Sequence, residues 1–167
     1  MSAVQPCYEA AAYAVPLIGD TEAVQRRPRA AISSWVIQVL LVDDNEADAA
    51  IAHSILRRHP DVGSVVIMTS AEEALSKLAA GRLAPHLILL DIQMPRMDGF
   101  KFIEALDHIP DARDTPVVML TTSRFERDVA EARRVRANGY IVKPDTIEEY
   151  RTRLDTVIKL VKSGQRG

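Results

Sequence analysis

The sequence predicts a doubly wound α/β fold, a five-stranded parallel sheet with helices on both faces. Three observations carry that expectation. Short runs of aliphatic and β-branched residues recur at 36–42, 65–68, 87–90, 117–120 and 140–142. They are continuous rather than alternating, the pattern of strands buried on both sides. A stretch with helical character follows each run, and five βα units in a row leave few arrangements besides a parallel sheet, because crossovers are right-handed.

The elements follow in order. The strand over 36–42 leads into a helix over 45–58, with Ala49, Ile51, Ile55 and Leu56 as its apolar positions. After the second strand, Ser70 caps a helix whose inner face is Ala71, Ala74, Leu75 and Leu78, ending near Gly81. Ser70-Ala71-Glu72-Glu73 has the spacing of a capping box. The third strand precedes a loop with Pro95 and a helix opening at Asp98-Gly99, where Asp98 reads as a turn residue and N-cap. The fourth strand precedes a helix over 124–136. The last helix starts near Thr146 and carries Tyr150, Leu154, Val157, Ile158 and Val161 at helical spacing.

At 167 residues the chain fits one domain with a tail. Hydrophobic residues make up 47% and charged residues 26%, an ordinary globular balance, and the net charge of -2 argues against a general nucleic-acid binder. Cys7 is the only cysteine, so no intrachain disulfide forms and cysteine metal-site spacings are absent, which fits a reducing, cytoplasmic setting. The apolar stretch over 10–19 contains Pro16 and has no basic residue before it, so it matches neither a signal peptide nor a membrane span. Residues 1–34 are alanine-rich with Pro6, Pro16 and Pro28 and show weak periodicity. They are expected to form a weakly ordered extension, with the folded domain over 35–163 and no residues left for a second domain or an attached effector.

Charge ends three of the apolar runs: Asp43-Asp44 after the first, Asp91 after the third, Lys143 after the fifth. Parallel strands finish at one edge, where open α/β sheets bind their ligands. Three carboxylates gathered there repel one another unless a cation intervenes. All-oxygen ligation suits Mg²⁺, which commonly shares its sphere with a phosphate. Lys143 supplies a point charge for a phosphoryl oxygen, and Thr121 adds a hydroxyl at the same edge. Thr122 and Ser123 follow and offer the same group as helix caps. With these groups around it, one aspartate can attack a phosphoryl donor and hold the product as an aspartyl phosphate.

Four segments then carry a family resemblance: Val39-Leu40-Leu41-Val42-Asp43-Asp44-Asn45, Leu89-Leu90-Asp91-Ile92-Gln93-Met94-Pro95-Arg96-Met97-Asp98-Gly99, Val118-Met119-Leu120-Thr121 and Gly139-Tyr140-Ile141-Val142-Lys143-Pro144. In this order they resemble the signatures of the response regulator receiver domain, over about 36–160. The resemblance implies a flavodoxin-like (βα)5 fold with strand order 2-1-3-4-5. It implies Asp91 as phosphoacceptor, and Mg²⁺ held by Asp43, Asp44, Asp91 and the backbone carbonyl of Gln93. Lys143 would contact the phosphoryl group, the Lys143–Pro144 peptide would be cis, and Thr121 and Tyr140 would form the switch pair.

The implied donor is a phosphohistidine on a sensor histidine kinase or a histidine phosphotransfer protein. The implied output is a surface of the fourth helix, fifth strand and fifth helix, read by an unidentified protein partner or a second copy of the chain, without direct nucleic-acid or membrane binding. The resemblance extends to stand-alone receivers paired with phytochrome-type kinases. On this reading the domain is a signalling element rather than a turnover enzyme, catalysing only its own phosphotransfer and dephosphorylation. A relay intermediate or phosphate sink remains an alternative. A Mg²⁺-dependent phosphohydrolase is a weaker one, because the second aspartate that haloacid dehalogenase-type enzymes need two residues after the nucleophile is here Gln93.

Overall fold

The strand and helix expectations meet in a six-stranded sheet. The computed structural model describes residues 15–16, 35–122, 126–135 and 137–164. In chain order the elements are β1 (Val15–Pro16), β2 (Ile37–Val42), α1 (Glu46–Leu56), β3 (Val62–Met68), α2 (Ala71–Ala79), β4 (Leu87–Asp91), α3 (Gly99–Leu106), β5 (Val117–Thr121), α4 (Glu126–Arg134), β6 (Gly139–Val142) and α5 (Ile147–Gly164). The sheet order is β1-β6-β5-β4-β2-β3. The five predicted strands are β2 to β6, all parallel, in the expected 2-1-3-4-5 order. The addition is β1, which pairs antiparallel with β6 through Val15↔Tyr140 and Pro16↔Gly139. The rest of the 1–34 extension lies outside the described residues.

Alternation along each central strand builds two cores. Leu40 and Val42 of β2 face α2 and α3, with Ala74, Leu78, Phe102 and Leu106. Val39 and Leu41 face α1 and α5, with Ala52, Leu56, Leu154 and Ile158. Both sets are buried because successive side chains of a strand point to opposite faces. Each such aliphatic side chain contributes about 1.5–3 kcal/mol by leaving water.

The caps follow the sequence reading. Asn45 accepts hydrogen bonds from the Ala47 and Asp48 amides at the start of α1, Ser70 Oγ accepts from the Glu73 amide, and Asp98 accepts from the Lys101 amide. The reciprocal arm at Ser70 differs from a capping box. Its hydroxyl donates to Glu72 Oε2, whereas Glu73 pairs with Lys77 one turn on.

Two local expectations are corrected, and a third lies partly outside the described residues. On α1 Ala52 is buried beside the expected Ala49, Ile55 and Leu56, while Ile51 is 44% exposed. Strand β3 starts three residues earlier than the apolar run, because the register slips between Ile37↔Val62 and Gln38↔Ser64 and leaves Gly63 as a bulge. A Cβ at Gly63 would lie 2.5 Å from Val36 Cγ2, so the bulge is closed tightly against the neighbouring segment. The predicted helix over 124–136 is described as Glu126–Arg134; residues 124, 125 and 136 lie outside the described residues.

Candidate functional site

The strand order reverses between β2 and β4, and the candidate site sits at the carboxyl ends of those two neighbours. Val42 pairs with Leu90. The next residue on each strand is therefore Asp43 and Asp91, set side by side by register. On the far side of β4, Asp91 pairs with Leu120, and Thr121 pairs with Val142, which brings Lys143 to the same edge. The Lys143 amide donates to the Thr121 carbonyl at 2.7 Å and extends that pairing by one residue.

Asp43 and Asp91 are fixed locally. Asp43 is 1% exposed; its amide donates to the Met68 carbonyl, and its Oδ1 accepts from the Asn45 amide at 2.9 Å. Asp44 is exposed at the rim. Asp91 is buried at the end of β4, and its Oδ2 accepts from the Gln93 amide at 2.9 Å, which holds exposed Gln93 beside the carboxylate. Carboxylate oxygens of Asp43, Asp44 and Asp91 all lie within 4.8 Å of one another. An all-oxygen set of this kind fits a hard divalent cation such as Mg²⁺.

Lys143 binds the cluster together. Its Nζ donates to Asp43 Oδ2 at 2.8 Å and Asp48 Oδ2 at 2.9 Å, and pairs with Asp91 Oδ1 at 3.0 Å. Burial alone would depress this ammonium, but the hydrogen bonds to Asp43 and Asp48 and the charge of Asp91 outweigh it and hold Lys143 well above the usual lysine range. Burial raises the Asp91 carboxyl; Lys143 opposes that rise, Asp43 adds to it, and the Gln93 amide opposes it again. Three carboxylates pair with the one ammonium and Asp44 adds a fourth beside Asp43 and Asp91, a surplus of three negative charges when all are ionised. A divalent cation offsets most of that surplus.

The loop after β4 is held against the same strand end. Arg96 adopts a left-handed φ of 66° and pairs with Glu72, and the Gly99 amide donates back to the Ile92 carbonyl at 3.0 Å. A Cβ on Gly99 would stand 2.6 Å from the Asp91 carbonyl oxygen and 3.1 Å from Met119 Cε. Gly99→Ala is therefore expected to lose about 1–3 kcal/mol of stability, the scale of overpacking against a fixed neighbour. Urea unfolding checks this, and an unchanged midpoint contradicts it.

Thr121 is 1% exposed at the end of β5, whereas Thr122 is exposed and Ser123 lies outside the described residues. Thr121 and Tyr140 lie on the neighbouring strands β5 and β6, where Met119 pairs with Tyr140 and Thr121 with Val142. The Tyr140 ring is 5% exposed, and burial together with the nearby Asp128 charge pushes its hydroxyl up to about 12, against the pull of Thr121. The Lys143–Pro144 peptide is trans, as are all described peptide bonds, which corrects the cis expectation. The X–Pro preference for trans is met here with the Lys143 amide already paired to β5.

Two residues at the site escaped the sequence reading. Asp48 looks like an ordinary surface residue among alanines, yet the first turn of α1 carries it to Lys143. Arg153 looks like a solvated charge on α5, yet it is 8% exposed and donates to the Val142 carbonyl at 2.6 Å, just before Lys143. Neighbouring Tyr150 is also buried, and its hydroxyl has no hydrogen-bond partner among the described residues. It borders a cavity of about 110 Å³ between α1 and the loop after β6, lined also by Asp48 and Lys143. Because Tyr150→Phe removes an unsatisfied hydroxyl and breaks no hydrogen bond, it should leave stability unchanged or raise it by up to about 1 kcal/mol. A lower thermal midpoint contradicts that assignment.

Comparison with known proteins agrees with this geometry. The family model of the response regulator receiver domain matches residues 39–155. Response regulator Rcp1 of Synechocystis is 29% identical over 116 residues, 66% of this chain and 79% of Rcp1. Its Mn²⁺-bound crystal structure superposes with a TM-score of 0.60 at 28% identity, covering 76% of this chain and 90% of that one. The phosphorylated cyanobacterial phytochrome response regulator RcpA gives 0.62 at 28% identity, over 77% and 90% of the two chains. Chemotaxis protein CheY4 of Vibrio cholerae gives 0.63 at 30% identity, over 73% and 98%. Among the described residues no helix is long and apolar enough to cross a membrane.

Proposed function

The chain belongs to the response regulator receiver domain family, and from that premise we propose that it is a phosphorylation switch in which Asp91 is the phosphoacceptor. The observation that carries the reading is the Lys143 ammonium 3.0 Å from Asp91 Oδ1, beside carboxylate oxygens of Asp43, Asp44 and Asp91 within 4.8 Å of one another. The donor is a phosphohistidine of a sensor histidine kinase or a histidine phosphotransfer protein. An Asp91 carboxylate oxygen forms the new O–P bond as the N–P bond of the donor breaks, its electron pair staying on the imidazole nitrogen.

Asp43, Asp44, Asp91 and the Gln93 carbonyl would hold Mg²⁺, which when bound offsets negative charge on the transferring oxygens. Lys143 would stabilise the same charge through its ammonium. The acyl phosphate adds negative charge and acceptor oxygens, and the Thr121 hydroxyl exchanges its present surroundings for a bond to the phosphoryl group. That exchange biases the face formed by α4, β6 and α5, which passes the state to a separate protein or to a second copy of the chain. The likeness to RcpA supports input from a phytochrome-type kinase.

Acetyl phosphate with Mg²⁺ tests the reading without the kinase. The protein is expected to take up one phosphoryl group, and EDTA is expected to block uptake. Equal uptake in EDTA would overturn the metal assignment.

A further inference from the structure

We propose that Asp48 is a positioning residue for phosphotransfer, the carboxylate that fixes the Lys143 ammonium beside Asp91 throughout the reaction. The inference rests on the reading of Asp91 as phosphoacceptor and adds a residue to it. A lysine ammonium has three N–H donors. Here three carboxylates surround it, Asp43 at 2.8 Å, Asp48 at 2.9 Å and Asp91 at 3.0 Å, so each donor has an acceptor.

Two of those acceptors change during the reaction. Asp43 is a metal ligand in the proposed site, and Asp91 becomes part of an acyl phosphate. With acetyl phosphate as donor, an Asp91 oxygen forms the O–P bond while the donor's P–O bond breaks, its electron pair leaving on acetate. Asp48 lies outside the set of carboxylates that converge on the metal position. It therefore keeps its whole charge for Lys143 in both states.

The helix holds Asp48 in place. Its amide donates to the Asn45 side chain at 3.2 Å, and Asn45 in turn donates through its own amide to Asp43 Oδ1. The N-cap of α1 thus ties the anchor of Lys143 to the aspartate that follows β2. The Asp48 side chain is 31% exposed, so its replacement leaves the core intact. Pre-placing the ammonium avoids reorganising it as charge develops on the phosphoryl oxygens.

The test is a mutant cycle with acetyl phosphate as the probe, together with NMR of the Lys143 side chain in unphosphorylated protein. Asp48→Ala is expected to slow phosphoryl uptake about fivefold, and to add almost nothing in a Lys143→Ala background. Asp48→Asn, which keeps an acceptor oxygen, should recover part of the rate. The Lys143 ε-methylene signal should narrow towards that of a freely rotating lysine in Asp48→Ala. An unchanged rate in Asp48→Ala, or the same fold-loss in the Lys143→Ala background, overturns the proposal. If the wild type takes up no phosphoryl group, the phosphoacceptor reading fails. The NMR arm then decides the anchor alone, and an unchanged Lys143 signal overturns it.

Discussion

Asp91→Asn protein takes up no phosphoryl group from acetyl phosphate and Mg²⁺ under conditions that load the wild type. The amide keeps an oxygen that can accept from the Gln93 amide, so the loop after β4 retains its anchor. It offers no carboxylate nucleophile, and the loss is complete rather than partial. The same substitution has a signature in stability. The folded carboxyl sits above the ordinary carboxylate value, chiefly through burial, so the native state binds this proton more readily than the unfolded chain does. A raised acid contributes its stability when protonated, and that contribution is lost as pH rises through the folded pKa. Without a divalent cation, Asp91→Asn should therefore be more stable than wild type at neutral pH. Its advantage should shrink as pH falls through the raised folded value towards the unfolded one. Thermal melts in EDTA across that window check the sign, and a variant that is less stable at neutral pH contradicts it.

Lys143→Ala is the second large effect. Among the described residues it removes the only cation paired to Asp43 and Asp91, whose side chains are 1% and 10% exposed. Breaking a buried pair by deleting one partner typically costs about 3–5 kcal/mol, because the remaining charge is left uncompensated. Mg²⁺ should restore part of that loss, since it offsets the same carboxylates. Phosphoryl uptake should fall by about 10²-fold even in saturating Mg²⁺, the scale of losing one preorganised charge-stabilising donor. Urea titrations with and without Mg²⁺ separate the two effects. A normal uptake rate contradicts the role given to Lys143.

The strands and the charges at their ends were legible because buried parallel strands read as unbroken aliphatic runs, and polarity returns where the chain leaves the sheet. Asp43, Asp91 and Lys143 met as their strand-end positions required. Asp48 was not legible in the same way. Nothing in its neighbours distinguishes it from a solvated helix residue, and only the direction of α1 relative to β6 brings its carboxylate to Lys143. Arg153 was hidden for the reverse reason: a long side chain on an amphipathic helix reads as exposed, although it turns inward to the Val142 carbonyl. Ile51 was misread because α1 carries small and large apolar residues on several faces, and Ala52 occupies a buried position instead. The two-residue strand β1 lies inside the apolar stretch over 10–19 but was not legible there, since Pro16 and weak periodicity argue against a strand and its pairing is through the backbone at the edge of β6.

The account turns on the covalent bond at one carboxylate, and trapping that bond tests it most directly. Wild-type protein loaded with acetyl phosphate and Mg²⁺, then reduced with borohydride and digested, is expected to show the reduced side chain at position 91 by tandem mass spectrometry. The mark should be absent without the phosphoryl donor and absent in Asp91→Asn. A mark at Asp43 or Asp44 with Asp91 unmodified would contradict the account.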